Sequence, residues 1–473
     1  MRTTIIGVAL AAFAAATAAA QVPTGLIGPL RPDQQAFRGL YEELVETDTT
    51  LSHGSCTLAA ERMAARLRAA GIPDSQLTLF ADPAHPKEGG LVAVYPGTST
   101  TLKPVLAIAH IDAVEAKRED WKRDPFKLVE ENGYFYARGA ADDKAMAATF
   151  VDALMRFQKS GYRPKRTVKV ALTCGEETNG AFNGAEWLAA NRRELIDAEF
   201  ALNEGGGGST DGKGKIVTQA LQVGEKTFAT YRFETRNPGG HSSAPRPDNA
   251  IYQLARALGK LEAHKFPVEF TDTTRTYFRE AGRGRKIALG QAMVALASNP
   301  QDRAAEAVVN TDPFLHSNVR TTCVATMLDG GHARNALAQR AGAFVNCRIF
   351  PGHSIEAIRD ELAAIVADPG VTITTLEPKR PSPPPPPLDP KVIEPARKLA
   401  AKYFPGVPVI ASMANGYTDA TFLGAVGIPT YGVPGAWGDP DGGGVHGLDE
   451  RIEVRSVYVG RDYLFDLLKA YAG

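Results

Sequence analysis

Five short stretches of this chain each set a histidine or a carboxylate, a ready ligand for a divalent cation, at or just beyond an apolar run. In order they are A-H-I-D-A-V (His110, Asp112), A-A-D-D-K (Asp142, Asp143), C-G-E-E-T (Glu176, Glu177), L-N-E-G-G (Glu204) and V-H-G-L-D-E (His446). Zinc takes histidine and carboxylate ligands and keeps a position open where it is catalytic. Cobalt and manganese suit the same donors. The carboxylate two residues after His110 is spaced to accept the second imidazole N–H, which fixes the tautomer and basicity of a ligating histidine. Asp142 and Asp143 precede a helix, where acids commonly serve as N-caps. Glu176 and Glu177 follow an apolar run, and adjacent like charges there are costly unless a cation sits between them. Glu204 opens a run of four glycines that lets the backbone bend sharply. His446 stands in a second glycine-rich loop. Each stretch alone has an ordinary structural reading. Five in this order imply a two-metal centre.

Ligands so scattered must be gathered by a rigid scaffold. Apolar runs of strand length fall at Leu91–Tyr95, Val105–Ala109, Val168–Leu172 and Phe200–Leu202, with helical spacing over Met146–Phe157 and Gly184–Asn191. Strands alternating with helices predict an α/β fold, a mainly parallel sheet sandwiched by helices. In such sheets ligands sit beyond the carboxyl ends of the strands. The pattern changes near Val223. Phe228–Arg236 alternates as a strand and leads through N-P-G-G-H-S-S to a helix at Ala250–Glu262. Thr321–Leu328 and Ala343–Ile349 read as strands and Ser354–Ala367 as a helix, with a mainly helical excursion over residues 270 to 317. We therefore expect a catalytic domain in two parts, residues 21–223 and 381–473, around an inserted α+β lid at 224–380. The proline-rich Lys379–Leu388 removes backbone donors and reads as a stiff connector back to the first domain.

Composition narrows the function. The 473 residues carry 53 Lys plus Arg against 53 Asp plus Glu, so no field of one sign exists to attract nucleic acid or an anionic membrane. The first twenty residues, with one arginine, an Ala-rich apolar core and a final A-A-A, read as a secretory signal cleaved near Ala20. The mature chain is thus expected to be exported, periplasmic or secreted, and it contains no run of ~20 apolar residues that would span a membrane. Cys323 and Cys347 fall on two strands of one expected sheet, where either a bridge or two separate thiols is compatible with the sequence.

Together these residues resemble the co-catalytic zinc family of glutamate carboxypeptidase, acetylornithine deacetylase, succinyl-diaminopimelate desuccinylase and the aminoacylases. G-G-H-S-S-A-P-R-P, R-T-T and G-G-H-A-R-N-A-L in the insertion look most like its carboxypeptidase S branch. The resemblance implies that Asp142 bridges two zinc ions, His110 and Glu204 completing one shell, Glu177 and His446 the other. It implies Glu176 as general base, Asp112 as the partner of His110, and a cis Asp142–Asp143 peptide. It also implies that His241 stabilises the oxyanion of the tetrahedral intermediate, often from the second subunit of a dimer formed through the lid. Asn335 and Arg348 match substrate-holding positions, and a guanidinium suits bidentate carboxylate recognition. Gly416 and Thr418, in N-G-Y-T-D-A-T, would complete that pocket. Two positions depart from the pattern. Gly175 stands where many relatives carry an acid, and Tyr417 where glycine is usual.

The expected activity is hydrolysis of a peptide or N-acyl-amino-acid amide beside a free carboxylate. Dipeptidase, carboxypeptidase and aminoacylase remain open. An aminopeptidase would need an acidic group for the substrate ammonium, and the sequence offers no obvious one. An inactive binding protein on the same fold would have no need of Glu176.

Overall fold

The computed structural model describes residues 28–178, 182–285, 287–376 and 380–473. The leader expected over the first twenty residues and Lys379 lie outside them. A ten-stranded sheet forms the centre, in the order Leu77–Asp82, His85–Tyr95, Val168–Thr173, Val105–His110, Phe200–Asn203, Thr430–Gly432, Ile216–Glu225, Gly207–Thr210, Trp437–Gly438. Val409–Ala414 pairs parallel to Ile216–Glu225 off this path. The middle strands are parallel, and the hairpin at one edge is antiparallel.

Every residue of Val105–His110 and Val168–Thr173 is buried, as continuous apolar strands require when both sheet faces are covered. Val105, Ala107 and Ala109 point into a core with Phe37, Met63, Phe150, Leu154 and Leu467. Those partners come from the helices Pro32–Val45, Cys56–Ala69, Lys144–Ser160 and Val454–Ala472. Leu106 and Ile108 point the other way, onto Leu188 of Gly184–Asn191 and Phe422 of Ala420–Ala425.

A smaller antiparallel sheet, Thr322–Gly330, Arg340–Ile349, Thr227–Arg236, Val371–Thr375, packs against the helices Ala250–Ala263 and Ile355–Val366 through Tyr231, Phe233, Val345, Leu254, Ile358 and Leu362. One residue, Lys226, separates the large sheet's strand Ile216–Glu225 from the small sheet's Thr227–Arg236. A boundary set at 223/224 therefore cuts two residues inside a strand.

The excursion is four helices, Asp272–Gly284, Ile287–Ser298, Arg303–Val309 and Pro313–Asn318, around Phe278, Met293, Leu296 and Leu315. It does not belong to the insertion alone. Ile410 of the large sheet packs on its core, and the Asn318 amide donates to the Met413 carbonyl at 2.8 Å. The buried Lys226 ammonium donates to Ser317 Oγ at 2.9 Å and the Arg320 carbonyl at 2.7 Å.

All four cysteines are paired. Cys323 and Cys347 are direct cross-strand neighbours, so of the two readings open in the sequence the bridge is realised. The second bridge, Cys56–Cys174, spans 118 residues and was not anticipated.

Candidate metal centre

The strand ends place the ligands. His110 is the last residue of its strand, Glu204 follows Phe200–Asn203 directly, and Glu176 and Glu177 come three and four residues after Thr173. His110 Nε2 lies 3.1 Å from Asp142 Oδ1 and 3.7 Å from Glu204 Oε1. His446 Nε2 lies 3.3 Å from the other Asp142 oxygen, Oδ2, and 2.8 Å from Glu177 Oε2. Asp142 thus faces two histidine–glutamate pairs with one oxygen each. The Glu176 carboxylate falls within the same cluster, grouped with His110 and Glu204. The Asp142–Asp143 peptide is cis.

Asp143 occupies the N-cap position of Lys144–Ser160 but makes no side-chain cap bond, so the ordinary capping reading of this acid pair is not realised. His446 holds φ +59°, in the left-handed region that few non-glycine residues adopt, in a loop whose glycines 442 to 444 are also at positive φ.

Asp112 plays a wider part than its expected one. His110 Nδ1 lies 3.3 Å from the Asp112 carbonyl and 3.5 Å from its carboxylate. The carboxylate oxygens accept the Glu176 and Glu177 backbone N–H groups at 3.3 and 3.0 Å. One aspartate therefore orients the histidine and holds the glutamate loop.

The electrostatics test whether cations fit. Burial, with neighbouring carboxylates, pushes Glu176, Glu204 and Asp143 well above the ordinary carboxylate range. Burial opposes charge on His110, but Glu204, Asp112 and Asp142 outweigh it and push that imidazole up. Hydrogen bonds to Asp142 and Glu177 push His446 up to about 10. Protein groups alone balance this cluster by holding protons on its carboxyls and on both histidines. A divalent cation supplies that positive charge instead and frees both imidazoles to act as ligands. The donor set fits two such ions.

Three supporting residues escaped sequence reasoning. Buried Glu450 receives the Arg138 guanidinium at 2.8 Å and the Gly139, Ala141 and Asp142 N–H groups at 2.9, 2.8 and 3.1 Å, fixing the turn that carries Asp142. Glu450 ends the quoted V-H-G-L-D-E, and Arg138, directly before a glycine turn, was the available signal. Arg138→Met should cost about 3 kcal/mol of stability by urea unfolding, because it strands a buried carboxylate. A change under about 0.5 kcal/mol would contradict this role. Buried Asp419 accepts from Thr173 Oγ1 and Asn183 Nδ2, each at 2.8 Å.

The expected substrate residues make local contacts of their own. His241 is exposed on the short ribbon Gly240–His241/Ala336–Leu337 and Asn335 is exposed just before its second strand, and His241 Nδ1 lies 2.7 Å from Ser243 Oγ. Arg348, half-buried, lies over the Phe228 ring at 5.1 Å. Among the described residues none of the three hydrogen-bonds or ion-pairs with the ligands or Glu176. Gly416 is exposed with open space beside it. Thr418 differs from expectation: its buried hydroxyl donates to Glu225 Oε2 at 2.8 Å and accepts from Asn203 Nδ2 and Ala420 N, at 3.0 and 3.1 Å, which uses its hydrogen-bonding capacity within the protein.

Glu225 is the third missed residue. Burial, against the opposing Thr418 hydrogen bond, pushes its carboxyl up to about 8. A folded-state value above the ordinary 4.5 favours the protonated form, so the stability it contributes is full at acid pH and is lost as pH rises toward 8. Wild type should lose roughly 1 kcal/mol per pH unit between about 5 and 8 relative to Glu225→Gln. Parallel stability–pH curves for the two proteins would refute the assignment.

The two departures have local causes. Gly175 adopts φ +91°, and a Cβ there would sit 1.8 Å from the Phe182 carbonyl oxygen, so no acid fits. Tyr417 packs edge-on against Phe422 at 6.2 Å and accepts from Arg380 Nη1 at 2.6 Å.

Known proteins place this geometry. Human N-fatty-acyl-amino acid synthase/hydrolase PM20D1 is 28% identical over 383 residues, covering 79% of this chain and 75% of that protein. A probable carboxypeptidase S-like 2 from Dictyostelium discoideum is 27% identical over 403 residues, covering 80% and 74%. The fold matches the crystal structure of the M20 family metallo-carboxypeptidase Sso-CP2 from Sulfolobus solfataricus, with a TM-score of 0.69 at 19% identity, over 94% of this chain and 100% of that one. The resemblance to the co-catalytic metal hydrolases and to carboxypeptidase S holds, and the activity is that of a metal-dependent peptidase or amidohydrolase. With the family model matching residues 106–470, the chain belongs to peptidase family M20/M25/M40.

Proposed function

We propose that this chain hydrolyses a peptide or N-acyl-amino-acid amide beside a free carboxylate, after export, with Glu176 as general base. The observation that carries the reading is Asp142, whose two oxygens each meet a different histidine, at 3.1 and 3.3 Å, with Glu176 in the same cluster. His110 and Glu204 would hold one cation, Glu177 and His446 the other, and Asp142 both. Bound there, two divalent ions lower the pKa of water and polarise a carbonyl.

The protein's own groups do the rest. Burial raises the proton affinity of Glu176, which suits it to take a proton from the attacking water and pass it to the departing amine nitrogen. The products are a carboxylic acid and an amine. Asp112 holds the Glu176 amide, and with it the base, beside the ligands. His241, Asn335, Arg348 and the Gly416 backbone supply substrate contacts, the guanidinium pairing the free carboxylate. The names of the relatives, a fatty-acyl-amino acid hydrolase and a carboxypeptidase, support amide substrates of this shape.

A screen of N-acyl amino acids and dipeptides, with and without a chelator, tests the reading. Chelator-sensitive release of an amino acid is expected. Metal bound with no turnover on any member would favour a binding protein on this fold.

The exposed strand Thr322–Gly330 supports a homodimer through the lid. It is a sheet edge showing Val324, Met327 and Leu328 at 59, 64 and 68% exposure, which invites pairing with another strand. Leu328→Lys should lower the sedimentation coefficient of wild type toward that of a monomer, and an unchanged value would refute pairing at this edge.

A further inference from the structure

We infer that the Cys56–Cys174 disulfide positions the Glu176–Glu177 carboxylates, and that the metal affinity of the centre depends on it. The inference rests on the roles proposed above for those two residues. Cys174 directly follows the strand Val168–Thr173 and stands two residues before Glu176. Its partner opens the helix Cys56–Ala69, which Ser55 caps by accepting the Leu58 N–H at 3.1 Å and which buries Ala59, Ala60, Met63 and Leu67. The bridge, with Cα atoms 6.0 Å apart, therefore ties the glutamate loop to an element fixed in the main core.

The loop's other restraints leave one side open. The Asp112 carboxylate accepts the two glutamate N–H groups, Asn183 Nδ2 donates to the Gly175 carbonyl at 3.2 Å, and Gly184 N–H donates to the Cys174 carbonyl at 2.7 Å. Beside Cys174 and Gly175, however, Thr49, Gly54, His85 and Thr178 surround a cavity of about 220 Å³. Among the described residues no close packing backs the loop there, and the covalent bridge stands in its place. The load on this loop is electrostatic. Glu176 and Glu177 are held against Asp112, Asp142 and Glu204, and a loop free to relax would move its carboxylates apart. Groups that orient metal ligands typically govern affinity by 10–100-fold.

Zinc titration of metal-depleted protein, in competition with a chromophoric chelator, tests this on wild type, C56A/C174A and C323A/C347A. Failure of wild type to bind two ions would defeat the proposed centre, independently of the bridge. Given that binding, the affinity of C56A/C174A is expected to fall at least tenfold, while C323A/C347A, whose bridge lies in the small sheet, keeps the wild-type value. Unchanged affinity in folded C56A/C174A overturns the inference. Should that variant not fold, C323A/C347A is treated with a phosphine reductant, which leaves the one remaining bridge to open, and its circular dichroism is followed. Tenfold weaker zinc binding by the folded, reduced protein supports positioning. Unfolding on reduction, or unaltered affinity, overturns it.

Discussion

Glu176→Gln should bind two metal ions per chain as wild type does and lose about three orders of magnitude in kcat/KM, the middle of the range that a positioned acid–base group contributes. The expectation follows from two distances and a division of labour. The ligand pairs are complete without Glu176, since His446 meets Glu177 at 2.8 Å and His110 meets Asp142 at 3.1 Å. Glutamine keeps the shape and the backbone bond to Asp112 but cannot take up a proton. Elemental analysis and initial rates on one preparation decide the matter. Activity within tenfold of wild type would remove Glu176 as the base, and a loss of metal would make it a ligand instead.

Asp142→Ala should have the larger effect on metal content, and His446→Ala the more informative one. Among the described residues Asp142 alone has oxygens that meet both histidines, so on the proposed assignment its removal opens both shells, and no ion is expected to survive dialysis. On the proposed assignment His446 serves one shell, so His446→Ala should retain one ion. Its side chain is 56% exposed, and truncation leaves no cavity that would unfold the protein. Two ions retained in either variant, by elemental analysis against wild type, would contradict the shared-carboxylate arrangement.

The parts of this site that were legible share one property. His110, Glu176, Glu177 and Glu204 end or follow strands whose burial on both faces makes them mainly apolar runs, and such runs announce themselves. The strand Ile216–Glu225 did not, because its burial is interrupted and Gln219 and Gln222 lie within it. Without it, the expected boundary at 223/224 falls two residues inside that strand. Long-range pairings were hidden for a different reason. Cys56 with Cys174, and Arg138 with Glu450, are neighbours only after the chain has closed over more than a hundred residues. Nothing local marks which residue each will meet. Thr418 was misjudged because its motif stands beside the site, while its hydroxyl is turned to a buried carboxyl that no periodicity reveals.

The helical excursion has a consequence for how the two sheets move. An inserted unit joined by two crossings alone swings about them freely, as hinged domains do. Here a third attachment exists, with Ile410 on the bundle core, Asn318 on Met413 and Arg397 3.3 Å from Glu280. Three points fix a plane. Any rotation of one sheet against the other would have to slide the bundle along the strand Val409–Ala414 or break these contacts.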